Sequence, residues 1–273
     1  MKRILNHLLS VLASATLLAG CVHGHGSYGH GHRACFGSSV NDVMVRVGPL
    51  CVDKYEASIW QNPDGTGTAY GVHPGQTPYP PGFPETGNWT APLYAVSRPG
   101  VLPSLRVTWF QAQQACAVSG KRLLTNAEWQ MAAAGTPDGG TDAAGAPCNI
   151  FGTGPVPTGS KPACVSRWQV NDMVGNAWEW VGDWIQGNTQ PWAPYSGNHG
   201  SAYGGDWIYM INPATYQGAG TGFRDTHFPT ALVRGGGWLQ GGKAGIFAVY
   251  ADSAPSTAQI GPSDGDMGFR CAR

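Results

Sequence analysis

Leu232-Val233-Arg234-Gly235-Gly236-Gly237-Trp238 opens, and Met267-Gly268-Phe269-Arg270-Cys271-Ala272-Arg273 closes, the stretch from which the fold is read. Each end couples β-favouring or aromatic residues to glycines that let another backbone come close, so both read as strands. Between them, Leu239 to Asp266 is a run of small and polar residues with almost no continuous apolar segment. Fixed edges around a permissive middle imply a rigid scaffold that presents an adaptable surface.

The 273 residues are enough to bury a sizeable core. Lys plus Arg equals Asp plus Glu at 16 each, so charge favours neither nucleic acid nor an anionic membrane surface. Only 12% of residues are charged, while Gly (41), Pro (21) and Trp (11) are abundant. That profile predicts a loop-rich fold pinned by aromatic packing, because eleven tryptophans bury much apolar surface.

Residues 1–20 read as an address: Lys2 and Arg3, an apolar run from Leu8 to Leu18 too short to span a bilayer, then Leu18-Ala19-Gly20-Cys21. This resembles the bacterial lipoprotein signal, which implies lipidation at Cys21 and anchoring by acyl chains. Val22 stands where some lipoproteins carry an inner-membrane retention Asp, so an outer-membrane, surface-exposed location is expected. Residues 21–34 alternate His (23, 25, 30, 32) with Gly and read as a flexible tether, with weak transition-metal binding as the alternative. One domain is expected from residue 35 to 273.

Beyond Cys21, six cysteines remain (35, 51, 116, 148, 164 and 271), which in an oxidising compartment read as disulfides with fifteen arithmetic pairings. Cys35 with Cys51 and Cys148 with Cys164 close short loops, leaving Cys116 with Cys271 as a long-range bridge.

Val43 to Val47 and Leu50 to Tyr55 read as a hairpin around Gly48-Pro49, continued through Ser58. Gln61 to Pro103 is an ordered excursion dense in Pro and Gly. Thr108 caps a helix from Trp109 to about Ser119 that Gly120 stops, with Trp109, Ala112 and Cys116 on one face. Thr125-Asn126-Ala127-Glu128 is a capping box that opens a second helix through Ala134. A turn at Asp172 to Asn176 leads into the aromatic strand Trp178 to Trp184, whose tryptophans are expected in the core.

Five segments in order carry a resemblance: Asp53 to Ser58, Val107 to Phe110 with Gly120 to Trp129, Asp172 to Trp180, Arg234-Gly235-Gly236, and Gly268 to Cys271. Together they resemble the formylglycine-generating enzyme superfamily, a variant of the C-type lectin fold, which implies an α+β architecture with short strands and two main helices. The lectin-like fold also implies Cys116 with Cys271. Enzymes of this family oxidise a substrate cysteine with two copper-holding cysteines placed shortly after Arg-Gly-Gly. Here Trp238 to Phe247 contains no cysteine, and Leu, Gln and Gly supply no soft ligand for copper. His73, His199 and His227 are isolated in sequence and read as surface or packing residues.

A second resemblance accounts for the altered interval. Variable proteins of diversity-generating retroelements share the scaffold and end in spaced markers, matched here by Arg234 to Trp238, Ala244 to Phe247, Ala254 to Ser256 and Gly268 to Cys271. The resemblance implies a non-catalytic binding protein whose ligand contacts, within 232–273, are Gly237, Leu239, Gln240, Lys243, Tyr250, Asp252, Ser253, Thr257 and Gln259. Gln and Lys do not arise from Asn-type codons, so 240, 243 and 259 fit that pattern less well, and the segment 261–266 is longer than its usual spacing. Trp238, Ile246, Phe247 and Phe269 are expected inside, with their neighbours outward. Tyr250 reads either as a ligand anchor or as sheet packing.

Glu179, with backbone oxygens at Gly175 and Ala177, matches a calcium site of the enzyme family; the alternative is a Glu bonded to nearby backbone. A structural calcium is thus the one cofactor considered. The expected partners are an unknown protein or cell-surface ligand and the membrane through the N-terminal lipid; no nucleic acid partner is expected, and the protein is expected to be a monomer. The competing functions are a formylglycine-type oxidase and a non-diversified structural protein of the envelope.

Overall fold

Gly48 supplies the positive φ (56°) that a tight turn requires, and around it β1 (Met44–Val47) pairs antiparallel with β2 (Leu50–Asp53). The computed structural model describes residues 35–137, 145–185, 208–210, 230–253 and 267–273. The leader and tether with Cys21, together with Thr257 and Gln259, lie outside the described residues. Contacts gather Ala34–Arg273 into one unit.

The hairpin stops at Asp53 and does not continue through Ser58. Glu56 turns inward to accept a hydrogen bond from Asn176, and the Tyr55 N–H reaches Ser97 Oγ at 3.0 Å. These contacts send the chain into a separate sheet, in which β3 (Ala57–Trp60) lies between β4 (Ala69–Tyr70) and β5 (Tyr94–Ser97).

Both expected helices form. In α1 (Trp109–Val118) the Thr108 side chain accepts from the Gln111 N–H, while the Gln111 side chain accepts from the Thr108 N–H. The strand β6 (Arg122–Leu123) leads to α2 (Asn126–Ala133), which Thr125 and Glu128 cap in the same reciprocal way.

The strands β7 (Trp178–Ile185), β8 (Ile208–Met210), β9 (Thr230–Arg234), β10 (Val249–Ser253) and β11 (Met267–Phe269) form a sheet ordered β11-β7-β9-β10-β8. β12 (Cys271–Ala272) joins the first sheet between β2 and β6. The run after Leu239 therefore contains a strand, β10, that its small and polar composition did not announce.

Side-chain alternation gives the five-stranded sheet a core on each face. Trp178, Trp180, Ala231, Val233 and Tyr250 pack on one side with Cys116 and Phe269. Val181, Leu232, Val249 and Ala251 pack on the other with Trp129 and Leu124. Trp184 departs from the expected core and is 39% exposed. The β7–β9 register shifts between Trp180 and Trp184, so the outer tryptophan rests edge-on against Trp109 and Phe110 instead. Ile246 and Phe247, also expected inside, are only half-buried.

Strand directions fix the ends of the molecule. β9 is antiparallel to β7 and β11 parallel to it, so the loop after Arg234 emerges at the Trp178 end. The chain leaves Phe269, which pairs with Trp180, in the direction away from that loop, and Arg273 then exchanges backbone hydrogen bonds with Cys51. Three disulfides match the reading: Cys35–Cys51, Cys116–Cys271 and Cys148–Cys164.

Cys116–Cys271 spans 155 residues, so it removes much freedom from the unfolded chain. Replacing both cysteines with alanine is expected to cost about 2–5 kcal/mol in chemical denaturation; an unchanged midpoint would contradict this account of the bridge.

Candidate functional site

The segment 235–248 is an arch whose feet are joined. Gly235 N–H donates to Ala248 O at 3.2 Å, and Gly245 N–H donates to Gly235 O at 3.1 Å. The glycines of the Arg-Gly-Gly motif have a steric reason here. At Gly236 (φ 87°) an added Cβ would lie 2.7 Å from Ala244 Cα, and at Gly235 (φ 90°) 2.9 Å from Met173 O.

Arg234 braces the same arch from below. Its Nε donates to Ala248 O and its Nη2 to Ile246 O, each at 2.9 Å, and the guanidinium also reaches Asn126 Oδ1 and Gln130 Oε1 on α2. It lies 4.5 Å over the Trp129 ring. Sequence reading quoted Arg234 as a marker and missed this role, because its partners on α2 lie over a hundred positions away.

The candidate contacts divide on this frame. Leu239 (50% exposed) and Lys243 stand out from it. Gly237 and Gln240 do not: both are buried, Gln240 at 7%, because Gln240 N–H closes back on Gly237 O ahead of the short helical turn Gly241–Lys243. Trp238 is buried with Leu105 and Ala177, and the His73 ring meets it edge-on at 6.0 Å. Tyr250 is half-buried and packs in the sheet, its ring 6.1 Å from that of Trp178. Asp252 and Ser253 lie on β10 beyond the half-buried Tyr250.

Glu179 is taken by side chains, which neither sequence reading proposed. Arg270 Nε lies 2.9 Å from its Oε1 and 2.8 Å from its Oε2, Arg270 Nη2 lies 2.5 Å from Oε1, and Trp129 Nε1 donates to Oε2 at 2.7 Å. The Gly175 carbonyl accepts from the Ala177 N–H at 2.8 Å. As placed, Gly175, Ala177 and Glu179 do not fit a calcium ion, which would have to displace a guanidinium from a buried carboxylate. Among the described residues, no group of three His, Cys, Asp or Glu side chains is arranged to hold a metal.

Around this pair lies an excess of buried carboxyls. Lys121 Nζ bridges Asp42 and Asp53 at 2.6 and 2.8 Å. Burial raises Asp53 to about 6, against the pull of Lys121. Burial raises Asp172 to about 6, against the Gly159 N–H that it accepts and the Arg270 charge. Glu56 is pushed well up by burial and by the charges of Asp172 and Glu179, and its Oε1 has no hydrogen-bond partner. Glu128 is the contrasting case: the paired Arg122 draws it down to about 2.

This geometry defines an α+β, lectin-like scaffold that holds one loop arch above a polar interior. A family model described as the sulfatase-modifying factor enzyme 1-like domain matches residues 85–273, and the chain belongs to that family. Hercynine oxygenase of Mycolicibacterium smegmatis is 27% identical over 190 residues, 65% of this chain and 35% of that protein. The formylglycine-generating enzyme of Thermomonospora curvata is 29% identical over 178 residues, 57% of this chain and 48% of that protein. The chain thus spans less than half the length of either relative. The family includes enzymes by these names. Among solved structures, the Major Tropism Determinant I1 variant is 21% identical with a TM-score of 0.48, over 84% of this chain and 51% of that one. Treponema denticola variable protein 1 is 20% identical with a TM-score of 0.29, over 56% of this chain and 47% of that one.

Two measurements test the interior. Asp53, Glu56 and Asp172 have native pKa values above their unfolded values near 4. Their contribution to stability is therefore fully present below about pH 4 and is lost as pH rises through the native values. Glu128 acts in the other direction, but its window lies below about pH 4. Glu56→Gln, which needs no proton, is expected to gain stability relative to the parent as pH rises from 5 to 8; denaturation curves that shift in parallel for both proteins would contradict a protonated Glu56. With the Glu179 carboxylate occupied, millimolar calcium or EDTA is expected to leave the thermal midpoint unchanged, and a calcium-dependent rise would show that the ion opens the pair.

Proposed function

We propose that this protein is a lipid-anchored, surface-displayed ligand-binding protein of the bacterial outer membrane, non-catalytic, whose C-terminal stretch 232–273 is diversified by a retroelement. The observation that carries this reading is the division of labour in the arch. Its shape rests on Arg234, Gly235, Gly236 and Ala244, while Leu239 and Lys243 are exposed. Exposed positions of that kind change identity at little cost in stability. The signal-like segment ending at Cys21 supports the anchor, and the balance of 16 cationic and 16 anionic residues supports a partner other than nucleic acid. The ligand is a protein or another cell-surface molecule, bound by a monomer.

The second reading, an oxidase acting on a substrate cysteine, is favoured by the names of the relatives. Against it, Trp238 to Phe247 holds no cysteine to bind copper.

Sequencing the neighbouring DNA separates these readings. A near-copy of codons 232–273, differing mainly at adenines and lying beside a reverse transcriptase gene, is expected. Absence of such a template sinks the retroelement reading, and copper-dependent aldehyde formation on a cysteine-containing peptide would replace it with the enzymatic one.

A further inference from the structure

Lys121 stands where α1 has ended and β6 is about to begin, and its ammonium is enclosed with two carboxylates. Nζ lies 2.6 Å from Asp42 Oδ1 and 2.8 Å from Asp53 Oδ1, and the three side chains are at most 1% exposed. Asp42 is held by donors on both oxygens. Oδ1 accepts from the Ser97 N–H at 2.8 Å, while Oδ2 accepts from the Ser38 N–H at 2.8 Å and the Ser38 hydroxyl at 3.2 Å. Asp53 Oδ2 accepts from the Cys271 N–H at 3.0 Å.

Those positions combine the parts of an acyl transfer. A primary amine touches one oxygen of a fixed carboxyl, two donors from Ser38 stand at the other oxygen, where charge would gather, and a second carboxyl touches the same amine. Burial sharpens the case, because a proton moved from the ammonium to its carboxylate replaces two buried charges with two neutral groups. Burial also raises Asp53 to about 6, which suits it to pass a proton near neutral pH. Arg270 and Glu179 offer the contrast: a guanidinium does not give up its proton, so that buried pair stays ionic.

We propose that Lys121 and Asp42 form a modification site, at which the buried ion pair is the precursor of an intramolecular amide bond. The ammonium gives one proton to Asp42 Oδ1, leaving an amine beside a carboxylic acid. The Nζ lone pair then bonds to Cγ, charge gathers on Oδ2 at the Ser38 donors, and Asp53 carries a proton from the nitrogen to Oδ1. The Cγ–Oδ1 bond breaks and Oδ1 leaves as water. The sum is amine plus acid to amide plus water, with no oxidant or co-reactant. The product links the segment before β1 to the start of β6 across 79 positions. The bond forms whether or not the arch binds a ligand.

In the test, the full chain is reduced, alkylated, digested with trypsin and weighed by mass spectrometry. Trypsin does not cut at an acylated lysine, so the expected product is residues 34–46 joined to 107–122, lighter by one water than the two peptides together. Most of the chain is expected in that form. Recovery of 34–46 and 107–121 unlinked, at their sequence masses, would mean an ion pair only and overturn the proposal. Residues 47–54 joined to 107–122 would overturn Asp42 as the partner. Lys121→Arg keeps a cation without a primary amine and should abolish the linked product. Asp53→Asn cannot take up the proton and should leave at most about a tenth of the product; a fully linked Asp53→Asn protein would overturn that role. The parent chain decides the bond by itself, so a variant that fails to fold does not leave the question open.

Discussion

Arg270 carries its charge into the interior, where Glu179 meets it with two oxygens and the carbonyls of Asp53, Lys54 and Asn171 accept its remaining donors. That one side chain gathers the end of the first hairpin, the turn before β7 and the last strands. Removing one partner from such a buried pair costs about 3–5 kcal/mol, because the other is left as an uncompensated charge. Trp129 extends the assembly: its indole N–H completes Glu179, and its ring face receives the Arg234 guanidinium. A charge balance deep in the core is therefore continuous with the brace under the arch.

The surrounding carboxyls follow from the same arrangement. Asp42, Asp53, Glu56, Asp172 and Glu179 are all buried, with Lys121 and Arg270 as the buried cations that face them. Burial raises Asp53, Asp172 and, most of all, Glu56, whose one bonded oxygen accepts from Asn176. Asn176 also bonds Asn149, so the polar interior reaches the segment whose Ile150 carbonyl accepts from the Gly241 N–H of the arch.

What the sequence made legible was local. The capping boxes at Thr108 and Thr125, the turn at Gly48 and the stop at Gly120 are written within a few residues, and the structure places each where it was expected. Strand β10 was not legible, since Val249 to Ser253 owes its state to β9 and β8 on either side and not to its own composition. Trp184 was misjudged because it lies past the register shift near the end of the strand, where it pairs with Ala231. It packs on Trp109 but keeps one part of its ring in solvent, and nothing in Trp-Val-Gly-Asp-Trp encodes that. At the candidate site the glycines gave the arch away, as only they tolerate its close approaches. Gln240 was assigned to the surface because polar residues usually lie there, whereas a turn to Gly237 draws it in. Arg270 and Arg234 owe their roles to partners distant in sequence, which single-chain patterns do not reveal.

The run of β11 beside β7, away from the arch and on to the Arg273–Cys51 pair, has a mechanical consequence. A pull on the arch, resisted at Cys35, enters through β9, passes across its ladder to β7 and β11, continues along the chain into β12, and leaves through the Arg273–Cys51 hydrogen bonds and the Cys35–Cys51 bridge. The force runs lengthwise along the five-stranded sheet, so its ladders are sheared, with several hydrogen bonds sharing the load at once, and are not peeled apart one by one. Under tension the domain resists as a lap joint does.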